Sequence, residues 1–382
     1  MQHILTDKTD GTEEAVKSEI SIKTGAGISS RRGDDLLLAL SVARISFLDF
    51  NQKINLLKNL DSPYNLALQL IEEMLKIAGC AERKCRAEWN GQENLRMAKA
   101  EAWQCECLGI KILFYDDQEY PELLRQIADP PFALFVRGQA ELLKGPCLSL
   151  VGTRRLSQDG RKATRLFAYE AARDGYNIVS GLAAGADAYA HLGALDAFYD
   201  AFEKGELHGG LSDGVLGRTI AVLPSAIDNI VPYANKGLAA KILQCGGCLV
   251  SEYAPGMPTN KWQFVARNRI VAGLSDATLV MEAPAGSGSL ITADFALEDG
   301  RELFFHEAAF GQAASQISEI VRSDLEKSFA AGKVSKYKME NTPEKFLAAG
   351  APVVKDYKDF CVALTEMPGQ RSFPPLQGEL FT

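Results

Sequence analysis

From residue 147 onward the sequence alternates short, nearly unbroken apolar runs with amphipathic stretches, and this alternation restricts the fold more than any other feature. The runs are CLSLVGT (147–153), NIVSGL (177–182), TIAVLP (219–224), CLVSEY (248–253), ATLVMEA (277–283) and ELFFH (302–306). Strands that are apolar throughout are buried on both faces, as in a parallel sheet covered by helices. Helix-patterned stretches at 157–174, 184–200, 235–245 and 289–299 lie between most of them. Strand–helix–strand alternation with right-handed crossovers predicts an α/β fold around a doubly wound, mostly parallel sheet. Ligands of such sheets sit beyond the carboxyl ends of the strands, where the strand order reverses. The turns after the strands are therefore where chemistry should be sought.

Upstream the texture differs. Residues 1–31 are polar and aperiodic and are expected to form a disordered tail. Between 32 and 110, LLLALSVARI, FNQKINLLKNL and YNLALQLIEEMLKIAG carry apolar residues three and four apart, which predicts a small helical domain. Ser62 followed by Pro63 is a good helix start. The net charge of −8 argues against a surface that coats duplex DNA or an anionic membrane, though not against a local basic groove. No apolar run reaches the roughly 18 residues that a membrane span needs, and the polar start has no apolar core for a secretory signal. A cytoplasmic protein is expected. Eight cysteines in 382 residues do not make a disulfide framework. Cys245 and Cys248 have C-x-x-C spacing, but no second pair completes a four-ligand zinc site, so reduced thiols and no metal are expected.

The strand ends share a style. GTRRLSQDG (152–160) follows the first run, SGLAAGAD (180–187) the second, SEYAPGMPTNKWQFVARNR (251–269) the fourth and APAGSGSLITAD (283–294) the fifth. Glycine lets a strand turn sharply and lets an anion touch backbone N–H groups. The following helix adds unpaired amides and a partial positive charge. The group that approaches these glycines is expected to be a phosphate, and Gly288 is expected at positive φ. Each turn taken singly reads equally well as a tight turn without ligand. Residues 154–174 hold six basic side chains against three acidic ones, a local excess in an acidic chain. Arg154 should stand at a strand end, Arg267 and Arg269 flank Asn268, and Lys236 opens another helix. Trp262 and Phe264 could stack bases beside these arginines, or could be a cap and a core residue.

No GxxxxGK[ST] triphosphate loop and no G-x-G-x-x-G after the first strand is found, and no G-x-S-x-G elbow directly follows any of the strand runs. Asp187 and His191 lie four apart on one helix face, where they would fix the glycine-rich turn. Nothing assembles a nucleophile, a base and an orienting group, so no catalytic residue and no cofactor is expected.

VGTRRLSQDGRKA, NIVSGLAAGADAYAHLGAL, GRTIAVLPSAID, SEYAPG and FVARNRIVAGLSDATLVMEAPAGSGSLITADFALEDGRELF occur in the order found in the DNA-processing protein A (DprA/Smf) family. With the lead-in YDDQEYPELLRQIADPPFALFVRG, the resemblance runs from about Ile112 to Leu364, and it is specific because many motifs occur in series. It implies an extended Rossmann-like domain over 111–365, preceded by a small helical, SAM-like domain over 32–110. It also implies a homodimer that binds single-stranded DNA, protects incoming strands and helps load the RecA recombinase in natural transformation. The binding positions it carries over are Arg154, Ser180, Gly181, Lys236, Arg267, Arg269, Gly286, Ser287, Gly288 and Ser289. Gly152, Gly185, Asp187, His191 and Asn268 would support them.

The sequence departs from the family pattern in three places. Residues 196–214 carry five acids against Lys204, HEAAFG (306–311) replaces the usual Val-Pro-Gly, and a tail over 366–382 stands where many relatives have a winged-helix domain. Two other readings stand beside the non-enzymatic one. One is a nucleotide hydrolase resembling the LOG-type phosphoribohydrolases, and the other is a small-nucleotide sensor.

Overall fold

The computed structural model describes residues 28–80, 85–206 and 216–366. Residues 1–27 of the tail expected over 1–31, 207–214 of the acidic stretch 196–214 and 367–382 of the tail expected over 366–382 lie outside the described residues. Within the described part of the first, Ile28 is buried and Arg31 pairs with Asp35 at 2.9 Å, so these residues are not a free tail. The chain divides into two compact units after Gly109.

The first unit is helical: α1 (Gly33–Ala43), α2 (Phe50–Asn59), α3 (Pro63–Leu68), α4 (Ile71–Ile77) and α5 (Gly91–Leu108). Its core is built from Leu36, Leu40, Leu56, Leu66, Met74 and Ala98. Ser62 accepts the Tyr64 amide at 3.2 Å to start α3, with Pro63 in the first turn. The long periodic run after it does not form one helix. Gln69 is extended, and the Leu70 amide turns to the Glu73 carboxylate at 3.0 Å, which restarts the helix as α4. One buried ion pair, Arg44–Glu101 at 2.8 Å, ties α5 back to the end of α1. Burial pushes the Glu101 carboxyl up to about 7, against the pull of Arg44.

The second unit is a nine-stranded sheet in the order β1-β2-β6-β5-β4-β3-β7-β8-β9. Its strands are β1 (Ile110–Phe114), β2 (Ala133–Gly138), β3 (Cys147–Val151), β4 (Asn177–Ser180), β5 (Thr219–Val222), β6 (Cys248–Ser251), β7 (Ala277–Val280), β8 (Glu302–His306) and β9 (Val353–Val354). The helices between them are α6 (Glu122–Arg125), α7 (Gln158–Arg173), α8 (Ala186–Glu203), α9 (Lys236–Gln244), α10 (Gln263–Ala266), α11 (Asn268–Gly273) and α12 (Gly288–Glu298). Four more follow β8: α13 (Gln312–Ala330), α14 (Lys336–Glu340), α15 (Pro343–Ala348) and α16 (Tyr357–Thr365). The fold is α/β with a mostly parallel, doubly wound sheet, as the alternation predicts.

Alternate residues of each strand serve two cores. Leu148, Leu150, Ile178 and Leu279 pack on one face, and Val151, Val179, Ile220 and Val280 on the other. That is why these strands read as unbroken apolar runs. Two strands absent from that reading, β1 and β2, extend one edge. They pair antiparallel with each other, and β2 pairs antiparallel with β6. An antiparallel pair needs no crossover helix, so the alternation that reveals the parallel strands gives no sign of it. Chain order reverses at β3, which has β4 on one side and β7 on the other.

Candidate nucleic-acid interface

A cleft of about 420 Å³ opens at this switch point. Its walls come from the turns after β3, β4 and β7, from the segment that enters α11, and from Val321, Leu325 and Lys338 of α13 and α14. Four cationic side chains line it (Arg154, Arg155, Arg267 and Lys338) against the single carboxylate of Asp187. Such convergence at the carboxyl edge is what a doubly wound sheet produces where adjacent turns diverge.

The turn after β7 is the open one. Ser287 caps α12, its hydroxyl accepting the Ser289 amide at 3.4 Å and lying 2.7 Å from the Ser289 hydroxyl. Gly288 begins the helix. It is not at positive φ, and an added Cβ would meet nothing within 4 Å, which corrects the expected backbone requirement. Its amide donates to nothing among the described residues, while its carbonyl accepts from the Asn268 side chain at 3.1 Å. A free first-turn amide at the positive end of a helix is a ready anion donor. Gly286 is different: its φ is +66°, and its amide is taken by the Asn341 carbonyl at 2.8 Å.

Arg154 and Arg155, at the end of β3, are both exposed, and neither guanidinium makes a hydrogen bond or ion pair among the described residues. The Arg154 guanidinium lies 6.0 Å from the centre of the Phe264 ring, which shares the cleft wall. Arg267 enters from the other side. It is only 5% exposed, and its Nη1 donates to the Val222 carbonyl at 2.8 Å while its Nε is buried without a partner. Burial lowers the Arg267 pKa; Asp187 opposes that shift and Arg154 adds to it.

The glycine turns after β3 and β4 are filled by the protein itself. At Gly185, φ is +80° and a Cβ would stand 2.3 Å from the Thr153 carbonyl. At Gly152 it would stand 2.7 Å from the Ala186 Cβ, and at Gly181 it would strike the Arg267 guanidinium. The expected phosphate approach is thus replaced, at these positions, by neighbouring backbone and by an arginine. The start of α7 is occupied as well. Its cap, Ser157, receives the Gly160 amide at 2.9 Å, and both the Ser157 amide (2.9 Å) and its hydroxyl donate to the buried Glu282 carboxylate. An internal anion sits where a ligand anion could have sat.

Several expected binding positions lie away from the cleft. Ser180 donates to the Leu150 carbonyl at 2.6 Å inside the sheet. Arg269 holds Glu252 in a two-pronged pair at 2.7 and 3.0 Å and donates from Nε to the Asp129 carbonyl at 2.8 Å. Burial acts to lower its pKa, but Glu252 together with Asp129 and Tyr253 outweighs burial and the net shift is upward. Arg267 and Arg269 are two residues apart at the start of a helix, so their side chains leave in different directions. Lys236 is exposed beside Tyr233, 5.6 Å from its ring centre, and is no part of the cleft wall. Trp262, 61% exposed, sits edge-on to Tyr253 rather than in the cleft.

Asp187 accepts the Ala183 amide at 3.2 Å and so secures the turn after β4. Burial raises its pKa, with Arg267 opposing. His191 does something else: its Nδ1 lies 2.6 Å from the Thr219 hydroxyl. That hydroxyl donates to the Ile178 carbonyl, so His191 donates to it and ties α8 to β5. Burial lowers the His191 pKa to about 3. None of the described acids of 196–206 lines the cleft, and three of them bond to α7: Asp196 pairs with Arg165, Glu206 with Arg173, and Asp200 accepts the Tyr169 hydroxyl. Cys245 and Cys248 are buried free thiols. No group of residues with metal-ligand geometry occurs among the described residues, and no described helix is long and apolar enough to cross a membrane.

Arg155 and Lys338 were not among the expected binding positions. Arg155 could have been found, since it adjoins Arg154. Lys338 comes from a segment with no motif at all, beyond the departure at 306–311.

The family model described as DNA recombination-mediator protein A matches residues 111–361, which include the whole cleft. The chain belongs to that family. Protein Smf of Borreliella burgdorferi is 29% identical over 75% of this chain and 84% of its own length. The DNA processing protein DprA of Bacillus subtilis is 37% identical over 51% of this chain and 60% of its own. The X-ray structure of DNA processing protein A from Streptococcus pneumoniae aligns with a TM-score of 0.59 at 27% identity, covering 85% of this chain and 97% of that one. Against other curated relatives the match spans about half their length, for example 49% of Protein Smf from Escherichia coli.

Proposed function

We propose that this member of the recombination-mediator family binds single-stranded DNA in the cleft at the β3/β7 switch, through the sugar–phosphate backbone. One observation carries the reading. Four cationic side chains surround a free helix-terminal amide in a protein whose net charge is −8, and the one facing carboxylate is pushed toward its neutral form. Amides, arginines and a lysine recognise phosphate and carry little sequence information. Phe264 offers a stacking face that only an unpaired base can use.

Of the expected binding residues, Arg154, Arg267, Gly288 and Ser289 keep direct roles in this proposal, and Arg155 and Lys338 join them. Gly152, Gly181, Gly185, Gly286, Ser287, Asp187 and Asn268 shape the walls. The finer role we propose is handing the strand to the RecA recombinase as a cytoplasmic homodimer in natural transformation. The similarity to proteins named DNA processing protein DprA supports it. The DNA-binding domain would be residues 111–365, with the helical residues 32–110 a separate domain. The role proposed is non-catalytic: Asp187 is occupied in its turn, and Asp294, the acid nearest in sequence after the GSGS turn, is held by Tyr337, Asn341 and Lys345.

A competition experiment tests the reading. Labelled oligo-dT held by the protein is challenged with equal nucleotide concentrations of unlabelled single strand or duplex. Single strand should displace it at much lower concentration, and equal competition by duplex overturns the assignment. Release of free base from nucleoside monophosphates would favour the hydrolase instead.

A further inference from the structure

The three groups that hold Asp294 belong to one stretch of chain that reaches back onto the cleft. The Asp294 carboxylate, on the second turn of α12, accepts the Tyr337 hydroxyl at 2.5 Å and the Asn341 side-chain amide at 2.8 Å, and its other oxygen takes the Lys345 ammonium at 3.0 Å. The Asn341 side chain also donates to the Tyr337 hydroxyl at 3.1 Å, and its backbone carbonyl accepts the Gly286 amide. The hub thus joins the helix that follows the open glycine turn to the segment packed over that turn. Between Tyr337 and Asn341 lies Lys338, which lines the cleft.

We infer that Asp294 is a positioning residue for DNA binding, acting by holding α14 so that Lys338 stands in the cleft; this rests on the single-strand reading above. Three physical points carry it. First, α14 is five residues long, far short of the ~12–15 a helix needs to be stable by itself, so its place depends on tertiary contacts. Second, neighbouring residues on a helix point about 100° apart, so anchoring Tyr337 fixes the direction of Lys338. Third, Asp294 itself does not line the cleft, so any effect on DNA must pass through what it holds. The sign of the effect is diagnostic. Removing an acid near a DNA site should strengthen binding on simple Coulomb grounds; loss of positioning weakens it.

The test compares wild type, Asp294→Ala, Asp294→Asn, Lys338→Ala and the double alanine variant. Anisotropy of labelled oligo-dT is read across a salt series, and thermal unfolding verifies that each variant is folded. Asp294→Ala should weaken binding about fivefold and reduce the salt slope by roughly 0.7, the share of a single phosphate on a single strand. The double variant should bind no more weakly than Lys338→Ala alone. Tryptic cleavage after Lys336 and Lys338, measured without DNA, should be faster in Asp294→Ala. If that variant does not fold, Asp294→Asn, which loses the Lys345 pair, is read in its place, with the same directions and smaller size. Unchanged or tighter binding, additive losses in the double variant, or unchanged cleavage overturns the inference. Failure of wild type to bind any single strand overturns the single-strand reading instead, while the cleavage rates still judge the hub.

Discussion

The turn after β7 and the turn after β4 are close in sequence texture, GSGS against GLAAG, and opposite in use. After β7, Gly288 presents an unused amide to the cleft and an added side chain would find open space. After β4, Gly185 is pressed against the Thr153 carbonyl and Gly181 against Arg267. A third turn, after β3, leads into a helix whose cap amide, at Ser157, is bonded to Glu282 and whose Gly160 amide is bonded to the Ser157 hydroxyl. Glycine therefore reports that something comes close, not what comes close. Of the three glycine turns that line the cleft, two let the protein pack on itself, and that packing leaves the third open and surrounded by cationic side chains.

The sharpest way to break this contrast is a side chain at Gly185. Gly185→Val combines positive φ with a backbone clash, and should cost about 3 kcal/mol or more, or abolish soluble folded protein; urea unfolding measures it. A stability close to wild type would mean that the turn is not packed as described. Next in size is the pH response of the sealed side. His191 is neutral in the fold down to about pH 3, whereas unfolded histidine takes a proton below about 6.5. Its stabilising contribution is thus complete above pH 6.5 and eroded as pH falls through that window, by about 2 kcal/mol at pH 5. Unfolding of wild type and His191→Gln at pH 7.5 and pH 5 should show this extra loss in wild type alone, and parallel pH dependence would contradict it.

On the open side, Arg154→Ala should leave stability within about 0.5 kcal/mol of wild type, weaken oligo-dT binding about fivefold and lower the salt slope by roughly 0.7. Unchanged affinity and slope remove Arg154 from the interface. The smallest effect belongs to Gly288→Ala. Its Cβ meets open space at the first helical position, so stability should rise by roughly 0.4–1 kcal/mol while the partly shielded amide lowers affinity about twofold. Loss of stability there would erase the distinction between the two turns.

Six of the seven parallel strands, β3 through β8, were legible because each is buried on both faces and bounded by turn residues, and they fall inside the apolar runs that mark them; β9, two residues long, is too short to leave a pattern. The location of the cleft was legible from topology alone. Its chemistry was less so, for a consistent reason: the occupants of the turns come from far along the chain. Glu282 fills a site 125 residues before it, and Arg267 fills the space beside Gly181. Arg267 and Arg269 look equivalent in sequence, yet one faces the cleft and the other is spent on Glu252. Lys338 carries no motif, and only the packing of α14 on the glycine turn brings it into the site.

The contrast between open and filled turns can be observed directly by following backbone amide resonances of the folded protein during titration with oligo-dT. The amide of Gly288 should shift strongly and saturate together with the anisotropy signal, while those of Gly160 and Ala186, already bonded within the protein, should move little. Strong shifts at Gly160 and Ala186 with Gly288 unmoved would contradict the account, because the phosphate would then lie in the turns assigned here to the protein's own groups.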